Sequence, residues 1–175
     1  MKIQIRVNEK MLEGKAIDTT PEELFDKGYG EQLKKAIILE PYEALYLLEK
    51  KMVTINDGNS VIDFDALFKM VSSQRQGFSK YLVYKDLRDR GYIVKEGVEP
   101  LYSFRLFEKG TFSDSPAKYR ILILNEGDGI KVDRLKNYIV SSVAQERDSI
   151  VAVVDRRGEI IYYKSFLITS GSKIE

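Results

Sequence analysis

The sequence predicts an α+β fold in two parts, a small α+β unit over residues 1–76 and a mixed-sheet α/β unit over residues 77–175. Three observations predict it. Lys2 to Val7 sets Ile3, Ile5 and Val7 against Lys2, Gln4 and Arg6, the period-2 pattern of a strand with one wet face. Helix starts at Thr20-Pro21, Glu40-Pro41 and Asp63 interleave with short β segments in the first half. Beyond the polar stretch Ser72 to Gly77, a long helical segment leads into a series of strand patterns.

In chain order, a second short strand is expected at Lys15 to Ile17. Thr20 then caps a short helix ending near Gly28, with Pro21 at its first position and Glu23 placed to return a hydrogen bond to the cap. A strand at Ala36 to Leu39 precedes a helix from Glu40 to Leu48. Met52 to Ile55 with Asn56-Asp57-Gly58 gives a strand and a turn. Asp63 caps a helix carrying Leu67, Phe68 and Val71 on one face. In the second half a helix over Phe78 to Arg90 turns Phe78, Tyr81, Leu82 and Tyr84 inward until Gly91 stops it. Strands follow at Tyr92 to Lys95, Ser103 to Phe107, Tyr119 to Leu124, Ile150 to Val154 and Glu159 to Phe166. A helix from Asp133 to Gln145 repeats Leu135, Ile139 and Val143, and Asp155-Arg156-Arg157-Gly158 reads as a tight hairpin.

Composition excludes whole classes of chemistry. The 175 residues are 43% hydrophobic and 31% charged with 4 Pro, the balance of a folded chain. With no Cys there is no disulfide framework, thiolate nucleophile or cysteine metal site, and with no His there is no Ser-His-Asp triad and no imidazole acid or base. A net charge of +1 supplies no global field toward nucleic acid or membrane. No signal peptide or spanning helix is read, so the expected location is cytoplasmic, without metal or cofactor.

The remaining motifs are read modestly. Tyr84 to Gly91 is a charged helix end and reads as a solvated last turn with cations near the C-terminal dipole. Arg156 and Arg157 offer guanidinium forks to phosphates, although turn tips are often basic for solubility alone. Asn125-Glu126-Gly127-Asp128-Gly129 is an acidic glycine-bearing loop that reads by default as a turn, and otherwise as a metal loop or a partner-docking loop. It lacks the ligand count of a calcium hand. Tyr81, Tyr84, Tyr162 and Tyr163 read as packing rather than base-stacking residues.

Together these segments resemble a known family. Tyr81-Leu82-Val83-Tyr84-Lys85-Asp86-Leu87-Arg88-Asp89-Arg90-Gly91-Tyr92-Ile93-Val94-Lys95 is similar to the signature of the archaeal tRNA-splicing endonucleases, the tRNA-intron lyases. The likeness continues through Phe104 to Gly110, Val151 to Asp155, Gly158 and Tyr162-Tyr163, and in the first half through Leu39 to Leu48. It implies that the second unit has the fold of the tRNA-intron endonuclease C-terminal domain. It also implies attack of a ribose 2′-hydroxyl on the adjacent phosphate, leaving a 2′,3′-cyclic phosphate, with Tyr, His and Lys as the catalytic set. Here those three positions fall on Phe107, Pro116 and Arg147 or Asp148. The resemblance therefore points to a structural subunit that acts with a catalytic subunit on precursor tRNA at bulge-helix-bulge sites, two copies of each forming a heterotetramer. Ile161 and Phe166 of the C-terminal strands, and Glu126 and Asp128 of the acidic loop, are the expected partner contacts. Arg156 and Arg157 are the expected RNA contacts. Two alternatives stay open: an active homo-oligomeric endonuclease with a site rearranged around Tyr119, Lys118 and Arg147, and a stand-alone RNA-binding or assembly module.

Overall fold

The computed structural model describes residues 1–168 apart from Glu9, Thr111, Ser113 and Asp114. The chain divides into two compact units, Met1–Lys95 and Glu96–Glu175. This division lies beyond the 76/77 boundary expected from sequence, because the helix after Gln76 packs on the two helices before it.

The first unit holds a six-stranded sheet. Strands β1 (Lys2–Val7) and β2 (Lys10–Ala16) form a hairpin, and β4 (Ala36–Leu39) runs parallel to β1. β3 (Glu31–Leu33), β5 (Val53–Asn56) and β6 (Val61–Ile62) complete the order β3-β4-β1-β2-β5-β6. β2 is longer than the Lys15–Ile17 strand expected, since β1 pairs with one side of it and β5 with the other. Gly14 faces Ile3 in that hairpin, where an added Cβ would lie 2.7 Å from Ile3 Cγ2, so the core closes directly over its backbone. α1 (Pro21–Asp26) carries the full capping box, Thr20 Oγ1 accepting from Glu23 N at 3.1 Å. α2 (Pro41–Glu49) is buried over most of its length, and α3 (Phe64–Ser72) starts at Asp63, whose carboxylate accepts from Ala66 N at 2.8 Å.

α4 (Gly77–Asp89) buries Tyr81, Val83, Tyr84 and Leu87. Phe78, expected inside, is 41% exposed and Leu82 is half-buried, because the inward stripe begins one turn later than its apolar start.

The second sheet has the order β11-β10-β9-β8-β7, formed by β7 (Ile93–Val98), β8 (Tyr102–Phe107), β9 (Tyr119–Asn125), β10 (Asp148–Val154) and β11 (Ile160–Ser165). β9 and β10 are parallel and joined through α5 (Val132–Val143), while the β8–β9 and β10–β11 pairs are antiparallel. α5 sits on Leu122 and Val151 through Tyr138 and Ile139. The inward face expected at Leu135, Ile139 and Val143 is thus rotated, with Val143 54% exposed. The Tyr138 hydroxyl explains the rotation. It accepts from Ile150 N at 2.9 Å and lies 2.6 Å from the Arg120 carbonyl, stitching β9 to β10. No helix among the described residues is long and apolar enough to cross a membrane.

Candidate functional site

Three strand ends meet at one end of the second sheet. Leu106 pairs with Tyr119, and Tyr119 pairs with Asp148, so the residues flanking that row come together from β8, β9 and β10. Lys118 N donates to Leu106 O at 3.0 Å, and Asp148 N donates to Lys118 O at 3.1 Å. Phe107, the Pro116–Lys118 segment and Arg147 therefore share this end.

Among the described residues its charged groups are Lys118, Arg147 and Lys164 against Glu108 and Asp148. Phe107 is 7% exposed, its ring edge-on to Phe112 at 5.1 Å, and Pro116 is exposed. Lys118 pairs with Glu108 at 2.6 Å and lies over the Tyr119 ring at 5.3 Å. The hydrogen bond to Glu108 pushes the Lys118 pKa further up. Arg147 Nη1 donates to the Glu146 carbonyl at 3.0 Å, and Asp148 pairs with Lys164 at 3.1 Å. Glu108, Lys164 and Phe112 escaped the sequence reading, since each acquires its neighbour only when strands pair or loops fold.

The opposite end of the same sheet carries the acidic loop and the arginine hairpin side by side. Glu126 N donates to Val154 O at 2.8 Å, and Asn125 Nδ2 donates to Asp128 Oδ2 at 2.9 Å. Asp155 Oδ1 accepts from Arg157 N and Glu159 N, each at 2.8 Å, fixing the hairpin tip. Arg156 N donates to Glu126 Oε2 at 3.4 Å. All four charged residues Glu126, Asp128, Arg156 and Arg157 are exposed. A phosphate approaching Arg156 therefore also meets the Glu126 carboxylate, which the sequence alone places thirty residues away. On the edge strand β11, Ile161 is 55% exposed, and Phe166 just beyond it is 67% exposed. Among the described residues no cluster of acidic side chains has the size to hold a metal.

The charged helix end Tyr84–Gly91 is solvated only at Asp89, Arg90 and Gly91. Tyr84 is fully buried, its ring 4.9 Å from Tyr42 and 5.6 Å from Tyr46, and its hydroxyl donates to Glu43 Oε1 at 3.3 Å. Arg88 lies 3.9 Å from the Tyr29 ring centroid and donates to Lys27 O at 3.0 Å. Tyr46 donates to Asp89 at 2.9 Å, and Lys85 pairs with Glu49 at 2.6 Å. Glu43 accepts backbone N–H groups from Gly30 at 3.2 Å and Glu40 at 3.0 Å, and burial pushes its carboxyl above the usual range against the pull of Lys95. The segments Glu40–Leu48 and Tyr84–Arg90 are therefore two sides of one α2–α4 contact.

Comparison with known families matches residues 78–162 to the catalytic C-terminal domain of tRNA intron endonuclease and residues 13–68 to its N-terminal domain. The chain belongs to the tRNA intron endonuclease family. It is 31% identical over 142 residues to a protein of Methanococcus vannielii, covering 80% of both chains. It is 30% identical over 165 residues to one of Pyrococcus abyssi, covering 91% of this chain and 95% of that one, and 32% identical over 140 residues to one of Pyrococcus horikoshii, covering 79% and 81%. Each of these relatives is named tRNA-splicing endonuclease. The C-terminal match opens inside α4 and closes on β11, so it contains both ends of the second sheet.

Proposed function

We propose that this chain is the structural subunit of a heteromeric tRNA-splicing endonuclease, excising introns from precursor tRNA only together with a catalytic subunit. The observation that carries the reading is the absence of histidine anywhere in the chain, joined to Phe107 and Pro116 at the strand ends where the resemblance calls for Tyr and His. Forming a cyclic phosphate requires a base for the 2′-hydroxyl and an acid for the leaving oxygen, and neither Phe107 nor Pro116 carries an exchangeable proton. Lys118 and Arg147 supply charge there, which stabilises a phosphorane without moving protons. The exposed Ile161 and Phe166 suit burial against the catalytic subunit, and Glu126 with Asp128 suits contact with a cationic cleft in the four-chain complex. The cytoplasm, where precursor tRNA would be met, is the proposed location.

A second reading has its own support, because the relatives are named for the activity and this chain spans most of their length. In that reading the chain is an active homo-oligomer, with Tyr119 as the proton-transfer group beside Lys118 and Arg147. One assay separates the two: a bulge-helix-bulge precursor tRNA incubated with the pure chain, then with the chain plus a catalytic subunit. Cleavage only in the mixture supports the structural subunit, and a 2′,3′-cyclic phosphate produced by the pure chain overturns it.

A further inference from the structure

The corner between α3 and α4 carries a cluster of rings that the rest of the first unit does not cover. Phe64 and Phe68 lie nearly parallel, with centroids 5.9 Å apart and planes 18° apart, and Phe78 meets Phe68 edge-on at 5.9 Å. Tyr81 closes the cluster from inside, buried, its hydroxyl donating to Glu49 at 2.9 Å. Outward, Phe78 is 41% exposed and Phe64 and Phe68 are half-buried. Lone exposed apolar residues need no explanation, but contiguous ring faces do.

The corner is tightly turned. An added Cβ at Gly77 would lie 1.8 Å from the Val71 carbonyl oxygen, so the chain passes at a distance that only glycine permits. Gln76 before it takes a left-handed φ of 57°. Phe78 follows directly on this close approach.

Of the unpaired exposed charges on the rim, two are cationic and one, Asp65, is anionic. The exposed Lys69 and Arg75 side chains make no hydrogen bond or ion pair among the described residues, and Asp65 on the same helix as Lys69 pairs with neither. Flat π faces beside unneutralised cations match a ligand that presents flat bases and anionic links together.

We infer that the α3–α4 corner is a stacking surface for unpaired bases of RNA, with Phe78 as the platform and Lys69 and Arg75 meeting the flanking phosphates. This rests on the reading that the chain engages precursor tRNA and adds an RNA-facing surface distant in sequence from the strand ends of the second sheet.

The chain has no tryptophan, so Phe78→Trp installs a single indole as reporter. A labelled unpaired RNA of about ten nucleotides and a blunt RNA duplex are the probes, a length that covers one stacking groove. Saturable quenching of the indole by the unpaired RNA, and little by the duplex, is the expected result. Phe78→Ala lowers affinity about tenfold. Lys69→Ala with Arg75→Ala makes the fall of log affinity with log salt shallower, by about 0.7 for each phosphate no longer neutralised. Anisotropy of the labelled RNA with the wild-type chain, alone and with a catalytic subunit, reports on the underlying reading. If no RNA binds in either arm, both fall. If RNA binds while the Phe78→Trp emission and the salt slope stay unchanged, the inference alone falls. It falls likewise if the emission responds only to an added protein chain, which would make this corner a protein-docking surface.

Discussion

Two polar regions of this chain have met opposite fates. At the α2–α4 contact in the first unit every charged group is partnered: Tyr84 with Glu43, Tyr46 with Asp89, Lys85 with Glu49, Arg88 with a ring and a carbonyl. At the strand ends of β8, β9 and β10, in the reading proposed above, a packed ring, a proline and Arg147 or Asp148 stand where the family resemblance calls for Tyr, His and Lys. The first region carries the densest family resemblance, yet it is scaffold. A mutually satisfied network with a buried centre is costly to alter one residue at a time, because each change strands a partner. Strand-end groups that touch only substrate have no such restraint. On the proposed reading, family membership and family chemistry are written in different residues, and one persists without the other.

The sharpest way to break this comparison is Tyr84→Ala. It removes a fully buried ring from its packing on Tyr42 and Tyr46 and leaves Glu43 without its phenolic donor. The expected loss is about 3–5 kcal/mol, read as a lowered urea midpoint of the pure chain. A loss below about 1 kcal/mol, the range of surface changes, would mean that the α2–α4 packing is not the scaffold described.

Next in size is an effect confined to assembly. Glu126→Ala with Asp128→Ala should leave the stability of the isolated chain within about 0.5 kcal/mol, since both are exposed. Binding to the opposing subunit should weaken by about 2–5 kcal/mol if these carboxylates are desolvated there. On the proposed assembly, native mass measurement of the mixture with a catalytic subunit would show four chains for the parent and pairs for this variant. Ile161→Lys with Phe166→Lys should instead separate the pair itself. Four-chain complexes persisting in the first double variant would make this loop an ordinary turn.

Much of the fold was legible because its signals are local. The capping box at Thr20 and Glu23, the cap at Asp63 and the alternation of β1 all act within one turn or one strand. β3 and β6 were not legible, since edge strands of three and two residues are too short for a period to register. The rotated face of α5 was hidden because apolar spacing does not reveal that the Tyr138 hydroxyl seeks the backbone of β9 and β10. At the candidate site, the reading of Phe107, Pro116 and Arg147 or Asp148 as the catalytic positions rests on the resemblance alone. Glu108 against Lys118 and Glu126 against Arg156 are nonlocal and arise only from strand register.

A smaller effect follows for the strand ends. Phe107→Tyr, Pro116→His and Arg147→Lys together should cost about 1–3 kcal/mol, because a phenolic oxygen at a position 7% exposed risks burial without a partner. They should yield no cleavage by the chain alone, since catalytic groups must be held within about 0.5 Å by supporting residues and three substitutions do not rebuild those. Robust cleavage by the triple variant would show that the supporting residues survive and that the two regions differ less than described.

The smallest effect tests whether the rim of the α2–α4 contact resembles its centre. Lys85 and Glu49 are each about one-third exposed, so Lys85→Met should cost only about 0.2–1 kcal/mol at neutral pH, in contrast to Tyr84→Ala. The sign of its pH dependence is fixed by Glu49. Burial raises the Glu49 pKa, but the hydrogen bonds from Lys85 and Tyr81 outweigh it, and the folded value lies below the ordinary 4.5. A carboxyl lowered on folding contributes stability that is present above its unfolded pKa and lost as pH falls through its folded one. Wild type and Lys85→Met should therefore differ at pH 7 and converge in acid, where Glu49 is protonated in both. Added salt should narrow the gap at pH 7 in the same way, because a part-exposed pair is screened. Urea midpoints at neutral and acid pH decide it: a gap that widens in acid would mean that Lys85 acts through packing of its methylene stem, and the rim would then belong with the buried centre.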